Sequence, residues 1–102
     1  MHQDTFNDTF HASHGIFTIH DSKAGAYLPP IFCQTAAVAI RSFRQAAIEP
    51  THQFHMFAAD FTLFQIGEFD QLTGEIAMFE SKISLGNALE HQAESCATTE
   101  RE

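Results

Sequence analysis

Tryptophan is missing from this chain, tyrosine occurs once, and lysine and arginine together occur five times in 102 residues. The shortage of basic side chains excludes the most. Thirteen acids oppose those five bases and give a formal net charge of −8. Such a charge favours solubility and repels polyanions. It argues against non-specific nucleic-acid binding, which rests on counterion release by lysine and arginine. Cysteine occurs twice, Cys33 in an apolar stretch and Cys96 in a polar one, so no disulfide framework is expected and a reducing compartment is. No apolar run reaches the length of about 18 residues that a membrane helix needs. Met1-His2-Gln3-Asp4 lacks the basic and apolar regions of a signal peptide. The five glycines are scattered, and none stands in a phosphate-loop or dinucleotide spacing.

Phenylalanine is abundant. Eleven of these rings bring a large apolar payload without a polar handle, so most must be buried in a core or at a subunit contact. Residues 1–14 are polar and rich in histidine, residues 91–102 are polar, and both are expected to be flexible termini around one domain of residues 15–90. A core of that size is marginal alone, and a homodimer would help it.

Within the domain, Gly15–His20 is β-branched and aromatic and predicts a strand. Asp21–Gly25 reads as a turn. Ala26–Gln34 carries Pro29-Pro30, which confines it to a sheet edge or a bend. A helix follows. Thr35 is the candidate N-cap. Ala36, Ile40, Phe43 and Ala47 define one face, and Glu49-Pro50 ends it. Residues 51–60 read as a loop. Phe61–Phe69 predicts a strand with Phe61, Leu63 and Phe69 on one side and Phe64 and Ile66 on the other. Asp70–Gly74 reads as a hairpin loop, Glu75–Glu80 as the returning strand, and Lys82–Leu89 as a short helix or irregular segment. The β-α-β-β order implies an α+β fold, one main helix packed on a small, mainly antiparallel sheet.

Chemistry-bearing patterns are few. His11 with His14 and His52 with His55 are three apart, but no cysteine or carboxylate at diagnostic spacing completes a metal site. Cys33 lacks a nucleophile signature around it. Glu68, Asp70, Glu75 and Glu80 read as a solvated hairpin rather than an acid–base pair. The expectation is a protein with no catalytic residues, no metal and no cofactor. The basic residues are the remaining candidates. Arg41 and Arg44 share a helix edge, Lys23 lies in the first turn, and Lys82 follows the hairpin. Converging, they would contact phosphates while Tyr27 or Phe32 offers a stacking surface. Residues 15–90 still hold eight acids against four bases.

Three longer strings are more specific. Asp21-Ser22-Lys23-Ala24-Gly25-Ala26-Tyr27-Leu28-Pro29-Pro30-Ile31-Phe32, then Ala39-Ile40-Arg41-Ser42-Phe43, then Asp60 through Asp70 with Thr73-Gly74, resemble in order the blocks of a small nonstructural protein. That family belongs to gokushovirus-type microviruses, phages with single-stranded DNA. The chain departs from the pattern in its long His-rich lead. It also departs at His55-Met56-Phe57-Ala58-Ala59, where the family has a basic, proline-bearing loop. The resemblance implies a non-virion protein of the host cytoplasm, a DNA-binding accessory factor in single-stranded genome synthesis or packaging. The tentative DNA-binding set is Lys23, Tyr27, Arg41, Arg44 and Lys82. The alternative is a protein-interaction module, a dimer or an adaptor to a phage or host replication protein, working through apolar surface without touching DNA. Basic side chains gathered on one face would favour DNA; scattered ones beside an apolar patch would favour a protein partner.

Overall fold

The computed structural model describes residues 13–101, with side chains described as far as Glu94. The His-rich lead lies outside the described residues except for its last two, Ser13 and His14, which open the first strand. Strand β1 spans Ser13–Asp21. Two short strands follow, β2 (Ala26–Tyr27) and β3 (Ile31–Cys33). Helix α1 spans Ala36–Ile48, a single-turn α2 spans Gln53–Met56, and a 3-10 turn covers Ala58–Asp60. Strands β4 (Phe61–Asp70) and β5 (Ile76–Asn87) form a hairpin, and helix α3 runs from Ala88 to Arg101.

Among the described residues the sheet has five strands, and their pairings are antiparallel. Its order is β2-β1-β4-β5, and β3 lies beside β2 on the same edge of β1. Pro29-Pro30 explains that split edge. A residue without a backbone N–H cannot serve a central ladder, so the pairing stops at Tyr27 opposite His20 and resumes at Ile31 opposite Phe17.

Helix α1 forms for local reasons. The Thr35 hydroxyl accepts from the Val38 amide at 3.2 Å and caps the first turn, a bond of about 1 kcal/mol. Ala39, Phe43 and Ala47 recur at helical spacing and are buried, with Ala36 and Ile40 partly covered beside them. At the far end Glu49 is extended, as a residue before proline must be. The buried stripe meets Phe17, Phe61 and Leu63 from β1 and β4. Phe17 and Leu63 are fully buried, each contributing about 1.5–3 kcal/mol by removal from water.

Several expectations need correction. Residues 51–60 are not a loop. The His52 imidazole accepts from the Phe54 amide at 3.0 Å and starts α2, which places Phe54 in the core against Phe43 and Phe61. Lys82–Leu89 is mostly strand, because β5 runs on to Asn87. From His91 onward the backbone is helical rather than a tail, and His91 is buried against Phe43. A capping box starts that helix: the Asn87 carboxamide accepts from the Leu89 amide, and Glu90 accepts from the Asn87 amide. Its sequence signature, Asn87-x-x-Glu90, is visible in the chain. Finally, Phe69 does not share the side of Phe61 and Leu63. Ile16 faces Gly67 while Phe17 faces Gln65, so Ile66 is an extra residue in β4. A bulge of one residue reverses the alternation beyond it, and Phe69 turns to the opposite face, edge-on to Phe32.

Candidate interaction face

Among the described residues, the helices cover one side of the sheet and leave the other open. On β1, residues 14, 16, 18 and 20 point to the open side, opposite the buried Phe17. Cross-strand partners share a face, which adds Tyr27 opposite His20, Phe32 opposite Ile16, and Phe64 opposite Thr18. Gly67 faces Met78, and Phe69 faces Ile76. The centre of this face is nonetheless packed: Ile16 and Thr18 are buried, and the Thr18 hydroxyl donates to the Leu28 carbonyl at 2.6 Å. Around that floor stand half-exposed rings and apolar chains. Tyr27 is 47% exposed, Phe32 49% and Met78 62%.

Tyr27 and Lys82 meet above the floor. They come from β2 and β5, the two outer strands, with β1 and β4 between them. Three strand spacings separate those backbones by about 14 Å, so both long side chains must lean inward. The Lys82 ammonium sits 5.3 Å from the Tyr27 ring centroid, within cation–π range. His20 packs on Tyr27 at 4.5 Å between ring centroids, and Phe64 meets it edge-on at 6.2 Å. A cavity of about 290 Å³ opens on this face, lined by Thr18, Tyr27, Ile66 and Met78 together with Glu80 and Lys82.

The other basic candidates stand elsewhere. Lys23 is in the β1–β2 turn and lines a separate hollow beside Asp21 and Asp60. Arg41 is exposed on α1, on the helix-covered side. Arg44 is half-buried rather than freely exposed. Its guanidinium donates to Glu94 at 2.9 Å and approaches His91 Nδ1 at 3.4 Å, tying α1 to α3. His91 Nε2 faces the Leu85 carbonyl at 2.9 Å; a carbonyl only accepts, so Nε2 carries the proton and Nδ1 is left to accept from Arg44. Thus Tyr27 and Lys82 are brought together, and Lys23, Arg41 and Arg44 are not. The residues that complete the face, His20, Phe64, Ile66 and Glu80, went unselected in the sequence. Phe64 and Ile66 carried a signal, as the apolar residues on the second side of a strand whose first side holds Phe61 and Leu63.

Among the described residues, no three or more His, Cys, Asp or Glu side chains stand close enough to hold a metal ion. His55 Nδ1 lies 3.0 Å from the Ala47 carbonyl at the end of α1, and Gln92 donates to that same carbonyl at 2.8 Å. Burial pushes the Cys33 thiol pKa up, which disfavours the thiolate a nucleophile needs. No helix among the described residues is long and apolar enough to cross a membrane.

Residues 14–91 match the protein family described as Phage ORF5 protein. That is more than half of the chain, and the chain belongs to this family. It is a phage nonstructural protein. Neither the curated proteins nor the solved structures returned a match.

Proposed function

We propose that this member of the Phage ORF5 family is a non-enzymatic DNA-binding accessory factor in single-stranded genome synthesis or packaging of a gokushovirus-type microvirus. Single-stranded DNA would lie on the open face of the sheet. The observation that carries the reading is the group of Tyr27, Phe64 and Lys82, two half-covered rings and one ammonium on an antiparallel sheet. Exposed aromatics on such a face are stacking platforms for unpaired bases, at about 1–3 kcal/mol per base, and an adjacent lysine supplies a phosphate contact. With Lys82 the one lysine or arginine among the described residues on the face, affinity rests on stacking more than on charge. Each phosphate neutralised on a single strand contributes about −0.7 to the slope of log K against log salt, so the slope here is shallow, near one contact.

The test is anisotropy of a labelled single-stranded oligonucleotide at low and moderate salt. Tyr27→Ala is expected to weaken binding about tenfold, Lys82→Ala to flatten the salt slope, and Arg41→Ala to change little. Binding that survives both open-face substitutions sinks the assignment of this face.

A second reading is favoured by a specific observation. The basic residues are scattered, while Phe32, Phe69, Ile76 and Met78 form an apolar patch on the same face. Patches of that kind mark protein contacts, and a phage or host replication protein or a second copy of the chain would be the partner. No oligonucleotide binding at low salt, together with a concentration-dependent mass in sedimentation, would select this reading.

A further inference from the structure

We propose that the cavity lined by Tyr27 is a pocket for one guanine base, which would make this face selective along a single strand. The inference rests on the DNA-binding reading and names the group that the face holds. Size comes first. At about 290 Å³ the cavity stands at the small end of ligand pockets, which run from about 300 to 1,000 Å³. It admits one ring system rather than a run of stacked bases. Its lining suits a flat ligand, since it joins the Tyr27 ring to the apolar side chains of Ile66 and Met78.

The polar groups decide which base. Glu80 and Lys82 stand two residues apart on β5 and both line the cavity. A carboxylate beside a DNA site repels phosphate, and the groups of a nucleotide it can accept from are the donors of a base. An ionised carboxylate only accepts, and an ammonium only donates. The base that satisfies both must present adjacent donors and, next to them, acceptors. Guanine does so. Its N1–H and N2 amino group pair with both oxygens of a carboxylate, and its O6 and N7 accept from a lysine. Thymine offers one donor flanked by acceptors, which a carboxylate would repel. Adenine and cytosine each offer a single exocyclic amino group beside a ring acceptor. The Thr18 hydroxyl donates to Leu28, so toward the cavity it has only acceptor capacity left, which again suits a base edge rich in donors.

The experiment compares three labelled single strands of about ten nucleotides: oligothymidine, the same strand with one central guanine, and the same strand with one central adenine. The guanine strand is expected to bind about tenfold tighter than oligothymidine, with no comparable gain from adenine. Glu80→Gln is expected to cut the ratio of guanine-strand to oligothymidine affinity from about tenfold to near one, because the amide puts a donor where guanine N1–H or N2 needs an acceptor. Circular dichroism of the variant checks that the fold is intact. Equal binding of all three strands, or an equal gain from adenine and guanine, overturns the pocket and leaves the DNA-binding reading standing. Absence of binding to any strand overturns both.

Discussion

The two faces of the sheet are built from alternate residues of the same strands, yet they are finished differently. On the covered face, Phe17 and Leu63 are fully buried under Ala39, Phe43 and Ala47. On the open face, Tyr27, Phe32 and Met78 remain about half exposed over a floor of Ile16 and Thr18. Both sides are apolar, so hydropathy alone does not distinguish the face that stabilises the fold from the face left for a partner. What distinguishes them is the helix α1 stripe, which is one face wide and can seal only one side.

The largest effect expected from breaking this contrast is Phe17→Ala, at about 3–5 kcal/mol, against less than about 1 kcal/mol for Phe32→Ala. Urea unfolding of the two variants measures it. Similar losses would mean that the open face is covered in solution, as in a dimer. Gly86→Ala tests whether α3 belongs to the covered side. Gly86 has φ of 113°, and a Cβ there would stand 2.6 Å from Nε2 of the buried His91. A loss of about 1–3 kcal/mol is expected, read as a lower melting temperature, and a neutral result would show that the start of α3 is loosely held. Arg44→Met should cost least. Its pair with Glu94 is substantially exposed, so about 0–1 kcal/mol is expected. Repeating the melt at high salt should shrink the difference, and a larger, salt-independent loss would mean that packing against α3, not charge, is what Arg44 supplies.

Much of this fold was legible locally. Thr35, the Ala36-Ile40-Phe43-Ala47 spacing and Glu49-Pro50 delimit α1 because caps, periodicity and proline act within a few residues, although the buried stripe is centred on Ala39, Phe43 and Ala47. The β1 strand, its turn and the Asp70–Gly74 hairpin were readable for the same reason; Gly74 takes φ of 78° there. The hairpin's return is longer than its sequence pattern predicts, since nothing local stops β5 at Glu80. Helix α3 was missed although Asn87-x-x-Glu90 announces it, because its residues are polar and their burial depends on α1 and α2. The candidate site was legible only in part. Tyr27 and Lys82 stood in the sequence as separate suggestions, while Glu80 read as ordinary hairpin charge.

By itself, then, the sequence determined helix α1, strands β1 and β4 and the hairpin turn, the edge role of the Pro29-Pro30 stretch, the acidic charge and the kinship with a phage protein family, all properties of short windows or of composition. Tertiary structure decided which side of the sheet the helix seals, that the Ile66 bulge sends Phe69 to the open side, that Arg44 is held by Glu94, and that Tyr27 and Lys82 meet across two intervening strands. Those outcomes depend on register and on packing between residues far apart in the chain, where a shift of one residue exchanges the faces.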